Sequence, residues 1–194
     1  MKGKMESSNF ETIAVRTQTG RSTNREHSAP IYMTSSFLFD DAEQARALFA
    51  DEIEGNIYTR FSNPNTTELV SKICKLEGAE DGIATASGMS AIFTSIAPFV
   101  NQGDHLVVSR SVFGSTHQIV TQILPRWGIE STYVDINKPE EWEAAFRPNT
   151  KMVFVETPSN PSLDMIDLEW LGGLCKARGV WLSPHTAVWW ILLI

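Results

Sequence analysis

Residues 105–136, HLVVSRSVFGSTHQIVTQILPRWGIESTYVDI, contain the pattern most informative about the fold class. The apolar runs 105–110 and 130–136 predict two β-strands, and residues 115–127 between them have the periodicity of a helix. Two strands joined by a crossover helix are typical of a parallel sheet that is buried on both faces. The stretch therefore predicts an α/β fold.

The same alternation continues on both sides of this stretch. Further strands are predicted at 82–88, 151–157 and 179–182, and further helices at 90–100, 138–146 and 166–178. In parallel sheets of this kind, ligands bind beyond the carboxyl ends of the strands. The loops that follow these strands are therefore the first places to look for function.

The region before residue 61 has a different composition, rich in Ser, Thr, Asn and Arg. Residues 40–52 predict one amphipathic helix, with Ala42, Ala45, Leu48 and Phe49 on one face. The rest predicts an extended arm. Such an arm can pack only against another surface, which is either its own domain or a neighbouring subunit.

Composition narrows the function classes. The chain has 194 residues and a net charge of −7, with no run of Lys or Arg that could follow a phosphate backbone. This argues against nucleic acid as a partner, although backbone dipoles can still bind a small anion. Cys74 and Cys175 are far apart and have no accompanying His cluster, so neither a metal site nor a disulfide framework is indicated.

The two ends of the chain carry no membrane signal. Residues 1–12 are polar and lack the apolar core of a secretory signal, which predicts a cytoplasmic location. The apolar run 187–194 is much shorter than the roughly 20 residues that a membrane-spanning helix needs. No membrane partner is expected.

Residues 84–93, ATASGMSAIF, predict a turn from a strand into a helix. The backbone N–H groups of Gly88 and Met89 would point outward beside Ser87, as in a phosphate-binding helix N-terminus. The stretch matches neither the P-loop of nucleoside-triphosphate-binding proteins nor the fingerprint of dinucleotide-binding proteins, so neither ligand is indicated. A tight turn that binds nothing is the alternative.

Three other places carry candidate binding residues. Tyr58 and Arg60 lie two apart in an extended stretch, where a guanidinium fork and a phenol could reach one phosphate. Phe113 follows a strand and could stack on a planar ring. Glu156 and Asn160, together with Asp164, follow the strand 151–157 through a loop with two prolines. Each also has a purely structural interpretation, namely an exposed Arg, a packed Tyr, a core Phe or a polar loop.

Taken together, the segments 58–80, 85–92, 111–117 and 156–168 have the order and spacing of one family. Over residues 10 to 182 the chain resembles the Cys/Met-metabolism family of pyridoxal-phosphate enzymes. The resemblance implies the aspartate-aminotransferase-like fold (fold type I), pyridoxal 5'-phosphate as cofactor and a small amino-acid substrate. It also implies a homotetramer in which the N-terminal arm of one subunit completes the site of its neighbour.

The resemblance also implies roles for the candidate residues. Gly88 and Met89 would bind the cofactor phosphate through their backbone, with Ser87 beside them. Tyr58 and Arg60 would reach the phosphate in the adjacent subunit's site. The ring-stacking position, often Tyr in this family, is Phe113, which keeps the stacking but loses the phenol. Glu156 and Asn160 match the loop beside the ring, with Asn160 near the ring oxygen.

Two catalytic residues of the family have no match here. Its strand after residue 182 usually continues to an Asp that pairs with the pyridine nitrogen, and its cofactor-linking Lys follows further downstream. Here His185 stands at the position of the Asp, and an imidazole cannot supply the negative charge. Pro184 also removes a hydrogen-bond donor from a strand that is expected to be central. We therefore expect no catalytic residue and no lysine linkage in this chain.

The loss of pattern after Leu182 suggests that residues 183–194 arose from a shift of reading frame, which the downstream DNA in the other two frames would test. The predicted organisation is an arm with one helix (1–60), a partial pyridoxal-phosphate-binding domain (61–182) and an apolar tail (183–194).

The family's activity is γ-replacement on an O-acylhomoserine by sulfide or cysteine, in methionine and cysteine metabolism. Cystathionine γ-synthesis and γ-elimination are near alternatives. A non-catalytic module that keeps the phosphate cradle is the other interpretation, and a phosphate-binding domain of another class would need all four segments to match by chance.

Overall fold

A computed structural model describes residues 9–17, 20 and 22–186 of the chain. They form two compact units, the first ending at Ala84 and the second beginning at Thr85. The sequence predicted the domain boundary near residue 60 instead. Within the described ranges, no helix has both the length and the apolar character needed to cross a bilayer. The end of the tail, residues 187–194, lies outside the described residues.

The first unit contains three helices: α1 (Phe10–Arg16), α2 (Ala42–Phe49) and α3 (Pro64–Glu77). The amphipathic pattern of residues 40–52 predicted α2, and Asn63 followed by Pro64 is a cap and first helical residue that predict the start of α3. The short α1 was not predicted. At the start of α2, the Asp41 carboxylate accepts from Gln44 N at 2.7 Å, and the Gln44 side chain accepts from Asp40 N at 2.6 Å. This reciprocal pair caps the helix at the predicted place. On the predicted apolar face Leu48 is buried, whereas Phe49 is exposed.

Two asparagines at the start of α3 hold the arm. Asn63 caps α3 by accepting from Asn65 N at 2.9 Å and also donates to Tyr32 O at 3.1 Å. The Asn65 side chain accepts from Tyr32 N at 2.8 Å and donates to Pro30 O at 2.7 Å. Residues 30–32 therefore lie against α3 of their own unit, which was one of the two surfaces expected for the arm.

The second unit is a parallel sheet of four strands, in the order β2-β1-β3-β4. Its elements follow one another along the chain as α4 (Gly88–Ile96), β1 (His105–Ser109), α5 (Gly114–Gln118), β2 (Glu130–Val134), α6 (Pro139–Ala145), β3 (Thr150–Glu156), α7 (Leu168–Arg178) and β4 (Trp181–His185). The helix α5 continues as a π-helical turn over Ile119–Ile123 and a 3₁₀ turn over Leu124–Trp127.

Alternate residues of the strands belong to two different apolar clusters. Leu106 and Phe154 pack in one cluster with α4 and the helical segment after β1, whereas Val107 and Val153 pack in the other with Trp142 of α6 and residues of α7. Because successive side chains of a strand point to opposite faces, the sheet is covered on both sides. The predicted α/β class is confirmed.

Two details of the sheet differ from the prediction. Residues 82–88 do not form a strand, and all of them are exposed. A strand needs a hydrogen-bonded neighbour, and no described segment pairs with these residues. The other difference concerns β4, which was expected to be central. It pairs only with β3 among the described strands, so Pro184 lies on an edge strand, where a missing N–H is tolerated.

Candidate functional site

The carboxyl ends of β1 and β3 meet at one edge of the sheet, where Glu156 joins the loops that follow them. This residue ends β3 and is fully buried. Its Oε2 accepts from Phe113 N at 2.9 Å, and its Oε1 accepts from Asn160 N at 2.8 Å. One carboxylate therefore holds two loops that are far apart in the sequence, and it brings three of the predicted site residues together.

A second carboxylate, Asp164, joins the same two loops. Its Oδ2 accepts from Ser111 Oγ at 2.8 Å and from Ser162 Oγ at 2.7 Å, and its backbone N donates to Ser159 Oγ at 2.9 Å. The hydrogen bonds from Ser162 and Ser111 lower the pKa of Asp164, so it is a carboxylate at neutral pH. The sequence indicated Asp164 but not Ser111, because no local pattern links residues 53 positions apart.

The Phe113 ring is available to a planar ligand. Its side chain is 41% exposed, while its backbone is held by Glu156 and starts the first turn of α5. A ring that is open on one side and anchored through its own backbone suits stacking. The alternative of a core phenylalanine does not describe this position.

The start of α4 has the free donors of an anion site. Ser87 Oγ accepts from Ser90 N at 3.2 Å, and Ser87 O accepts from Ala91 N at 3.1 Å. The N–H groups of Gly88 and Met89 have no acceptor among the described residues. A Cβ at Gly88 would meet nothing within 4 Å, and Gly88 is exposed, so the space beside this glycine is open. Open N–H groups at a helix N-terminus are suited to phosphate.

His185 lies beside Glu156, since the two are register partners of β4 and β3. Its ring is stacked against Phe154 at 6.4 Å between centroids. Burial lowers the pKa of His185, and the charge of Glu156 opposes this only in part. The imidazole is therefore neutral at physiological pH, and it offers no negative charge to a protonated pyridine nitrogen.

Tyr58 and Arg60 belong to the first unit. The Arg60 guanidinium carbon lies 4.9 Å from the centroid of the Tyr58 ring, and Tyr58 is 37% exposed. Tyr58 also forms an isolated bridge with Ser36 of the arm. The two side chains therefore form one exposed pair, as their spacing predicted, and their role with phosphate remains a prediction.

The residues of the second unit fit part of pyridoxal phosphate. The open N–H groups of Gly88 and Met89 suit its phosphate, and the half-exposed Phe113 suits a face of its ring. Neutral His185 does not fit a protonated pyridine nitrogen. The arrangement therefore offers groups that suit the phosphate and one ring face, and at the position beside Glu156 it presents the imidazole of His185 in place of the carboxylate of the usual electron sink.

Comparison with known proteins places these features in context. The family model described as Cys/Met metabolism PLP-dependent enzyme matches residues 11–183. O-succinylhomoserine sulfhydrylase of Pseudomonas aeruginosa is 42% identical over 92% of the chain and 44% of its own length. L-methionine gamma-lyase of Porphyromonas gingivalis is 47% identical over 72% of the chain and 35% of its own length. The chain thus spans less than half of the length of these relatives.

Solved structures agree with the fold. A Campylobacter jejuni protein assigned as an O-acetylhomoserine (thiol)-lyase, which contains N'-pyridoxyl-lysine-5'-monophosphate, superposes with a TM-score of 0.85. It is 32% identical, and the match covers 91% of this chain and 44% of that one. Cystathionine gamma-lyase from Lactobacillus plantarum, complexed with L-serine, has a TM-score of 0.79 at 30% identity, with 91% and 44% covered.

Proposed function

The chain belongs to the Cys/Met metabolism family of pyridoxal-phosphate-dependent enzymes, and we propose that it carries the phosphate-binding and ring-stacking part of such a site. The observation that carries this proposal is that one unit contains both an open helix N-terminus, at the start of α4, and a half-exposed Phe113 whose backbone is held by Glu156. When bound, pyridoxal phosphate acts as an electron sink for an amino-acid carbanion.

Each residue has a separate task in this proposal. Gly88 and Met89 donate backbone N–H groups to the phosphate, and Ser87 orders the turn that presents them. Phe113 covers one face of the ring. Glu156 fixes the loop before α5 and the loop after β3 at a set separation, so that Asn160 stays beside the ring.

The reaction proposed for the family site is γ-replacement on an O-acylhomoserine, in which the sulfur of sulfide or cysteine bonds to Cγ, the Cγ–O bond breaks and the acyl group leaves as its carboxylate. Similarity to O-succinylhomoserine sulfhydrylase supports it. Similarity to L-methionine gamma-lyase and to cystathionine gamma-lyase of Bacillus subtilis supports γ-elimination as the near alternative. The substrate in each case is a small amino acid.

A second subunit has a place in this proposal. Tyr58 and Arg60 are exposed in the first unit, and a phenol beside a guanidinium suits a phosphate. We assign them to the phosphate of a neighbouring subunit's site, within a homotetramer. Sedimentation analysis of the purified chain would measure the assembly.

Binding without the family's reaction is the second candidate, and His185 favours it. Because this imidazole is neutral and stands next to Glu156, it does not stabilise a protonated pyridine ring. In this candidate the chain binds pyridoxal phosphate non-covalently through the phosphate and the ring face.

A cofactor titration tests the proposal. Pyridoxal phosphate is added to the purified chain, and induced circular dichroism of the cofactor band reports ordered binding. Gly88→Asp places a negative charge at the open N–H groups and should abolish the signal. The matched control is Gly173→Asp on the exposed surface of α7, where a Cβ also meets nothing within 4 Å. Equal signals from the two variants would refute the phosphate site.

Two further measurements separate the two candidates. Borohydride reduction followed by peptide mapping detects a covalently linked lysine, which binding alone does not produce. Formation of homocysteine together with succinate from O-succinylhomoserine and sulfide, measured on a homogeneous preparation, detects γ-replacement, whereas release of succinate without homocysteine does not. Binding with neither result favours the non-catalytic candidate.

A further inference from the structure

The loop from β1 to Phe113 is held at every second residue. Ser109 Oγ accepts from Ser111 N at 3.1 Å, Ser111 Oγ donates to Asp164 at 2.8 Å, and Phe113 N donates to Glu156 at 2.9 Å. The first contact is local, whereas the other two reach the last residue of β3 and the loop that follows it. The path of the backbone before Phe113 therefore depends on two carboxylates, Glu156 at the end of β3 and Asp164 in the loop after it.

Glu156 and Asp164 restrain different atoms. Glu156 holds the backbone N–H of Phe113 itself, while Asp164 holds the side chain of Ser111, two residues earlier. A single hydrogen bond at Phe113 N fixes a point and leaves rotation about that point. A second anchor two residues away removes this rotation and thus sets the direction in which the Phe113 ring projects.

Several hydrogen bonds fix the position of the Asp164 carboxylate. Its Oδ2 accepts from three hydroxyls, at 2.8 Å from Ser111, at 2.7 Å from Ser162 and at 3.5 Å from Ser159. Its backbone N–H donates to Ser159 Oγ at 2.9 Å, and its C=O accepts from Ser159 N at 3.0 Å. Hydrogen bonds to a charged acceptor are shorter and stronger than neutral ones. The loop after β3 therefore presents a fixed acceptor to Ser111.

We propose that Asp164, acting through Ser111, is a positioning residue that orients the Phe113 ring for stacking on a planar aromatic cofactor. The inference rests on the proposed function for the identity of that cofactor. The coupling between the two loops, by contrast, is a property of the chain itself. It can therefore be measured with and without pyridoxal phosphate.

The chain offers a matched set of variants. Ser111→Ala removes the hydrogen bond that crosses between the loops, and Ser162→Ala removes a hydrogen bond to the same oxygen that stays within one loop. Asp164→Ala removes both. Asp164→Asn keeps an acceptor oxygen of the same size, so it should restore much of what Asp164→Ala loses.

The first readout is amide hydrogen exchange of residues 111–114 in the cofactor-free chain. Loss of one hydrogen bond to a charged group should speed their exchange on the order of 10-fold in Ser111→Ala and Asp164→Ala. Ser162→Ala should leave these amides within about 2-fold of the wild type. Unchanged exchange in Ser111→Ala would overturn the coupling, and equal acceleration in Ser162→Ala would reduce Asp164 to a local loop-stabilising residue.

The second readout is the induced circular dichroism of added pyridoxal phosphate, with its dissociation constant. Ser111→Ala and Asp164→Ala should raise that constant on the order of 5- to 10-fold and weaken the signal of the bound cofactor. Normal binding in both variants, with a wild-type spectrum, would overturn the positioning role and leave the proposed function intact. If the wild type binds no cofactor, the proposed function fails, the role in cofactor stacking falls with it, and hydrogen exchange still decides whether the loops are coupled.

Discussion

Replacing Glu156 by Gln tests whether this buried carboxylate holds the two site loops together. Its two oxygens each accept one backbone N–H, from Phe113 at 2.9 Å and from Asn160 at 2.8 Å. Gln keeps one acceptor oxygen and places an NH₂ group against the other donor. Because both groups then donate, one hydrogen bond is lost at a site with no access to water.

The expected cost follows from that loss. A hydrogen bond to a charged group contributes about 1.5–3 kcal/mol, so Glu156→Gln should lower the free energy of unfolding by about 2 kcal/mol. With a urea dependence of about 2 kcal/mol per molar, the midpoint of unfolding should fall by about 1 M. Glu156→Ala loses both bonds and should cost about twice as much.

Urea unfolding followed by tryptophan fluorescence measures the shift. Glu143→Gln is the control, because Glu143 is exposed on α6 and the substitution is chemically identical. We expect the midpoint of the control to stay within about 0.2 M of the wild type, as is usual for surface changes. A shift for Glu156→Gln no larger than that of the control would refute the assigned role.

Two further predictions concern pH and the arm. His105 is fully buried, with its ring nitrogens 2.8 Å from Thr150 Oγ1 and 2.9 Å from Thr132 Oγ1, and burial lowers its pKa from 6.5. Below pH 6.5 the unfolded chain therefore binds more protons than the folded chain, so the contribution of His105 to the free energy of unfolding is fully present above pH 6.5 and is lost as the pH falls towards the lowered pKa. His105→Asn should flatten the pH dependence of urea unfolding between pH 7.5 and 5.5. An unchanged slope would contradict this assignment. Asn63→Ala removes the cap of α3 and the hydrogen bond to Tyr32 O. It should lower the free energy of unfolding by about 1 kcal/mol and speed proteolysis of the arm. Equal digestion of the variant and the wild type would show that other contacts hold the arm.

Local patterns were enough to predict most elements of the fold. Strand and helix periods differ, and each can be recognised over a few residues, so β1 to β4 and the helices between them lie close to their predicted places. The caps of α2 and α3 were equally local. Residues 82–88 show the limit of such patterns, because an apolar run becomes a strand only when a partner strand is present.

The candidate site divides in the same way. Contiguous motifs were enough to identify the family and to mark the stretch around Gly88 and the loop that contains Glu156 as candidate site segments. The hydrogen bonds from Phe113 N to Glu156 and from Ser111 Oγ to Asp164 could be found only in the folded chain, because they join segments that neighbouring parallel strands bring together. A hydrogen bond depends on distance in space, and separation along the chain carries no information about it.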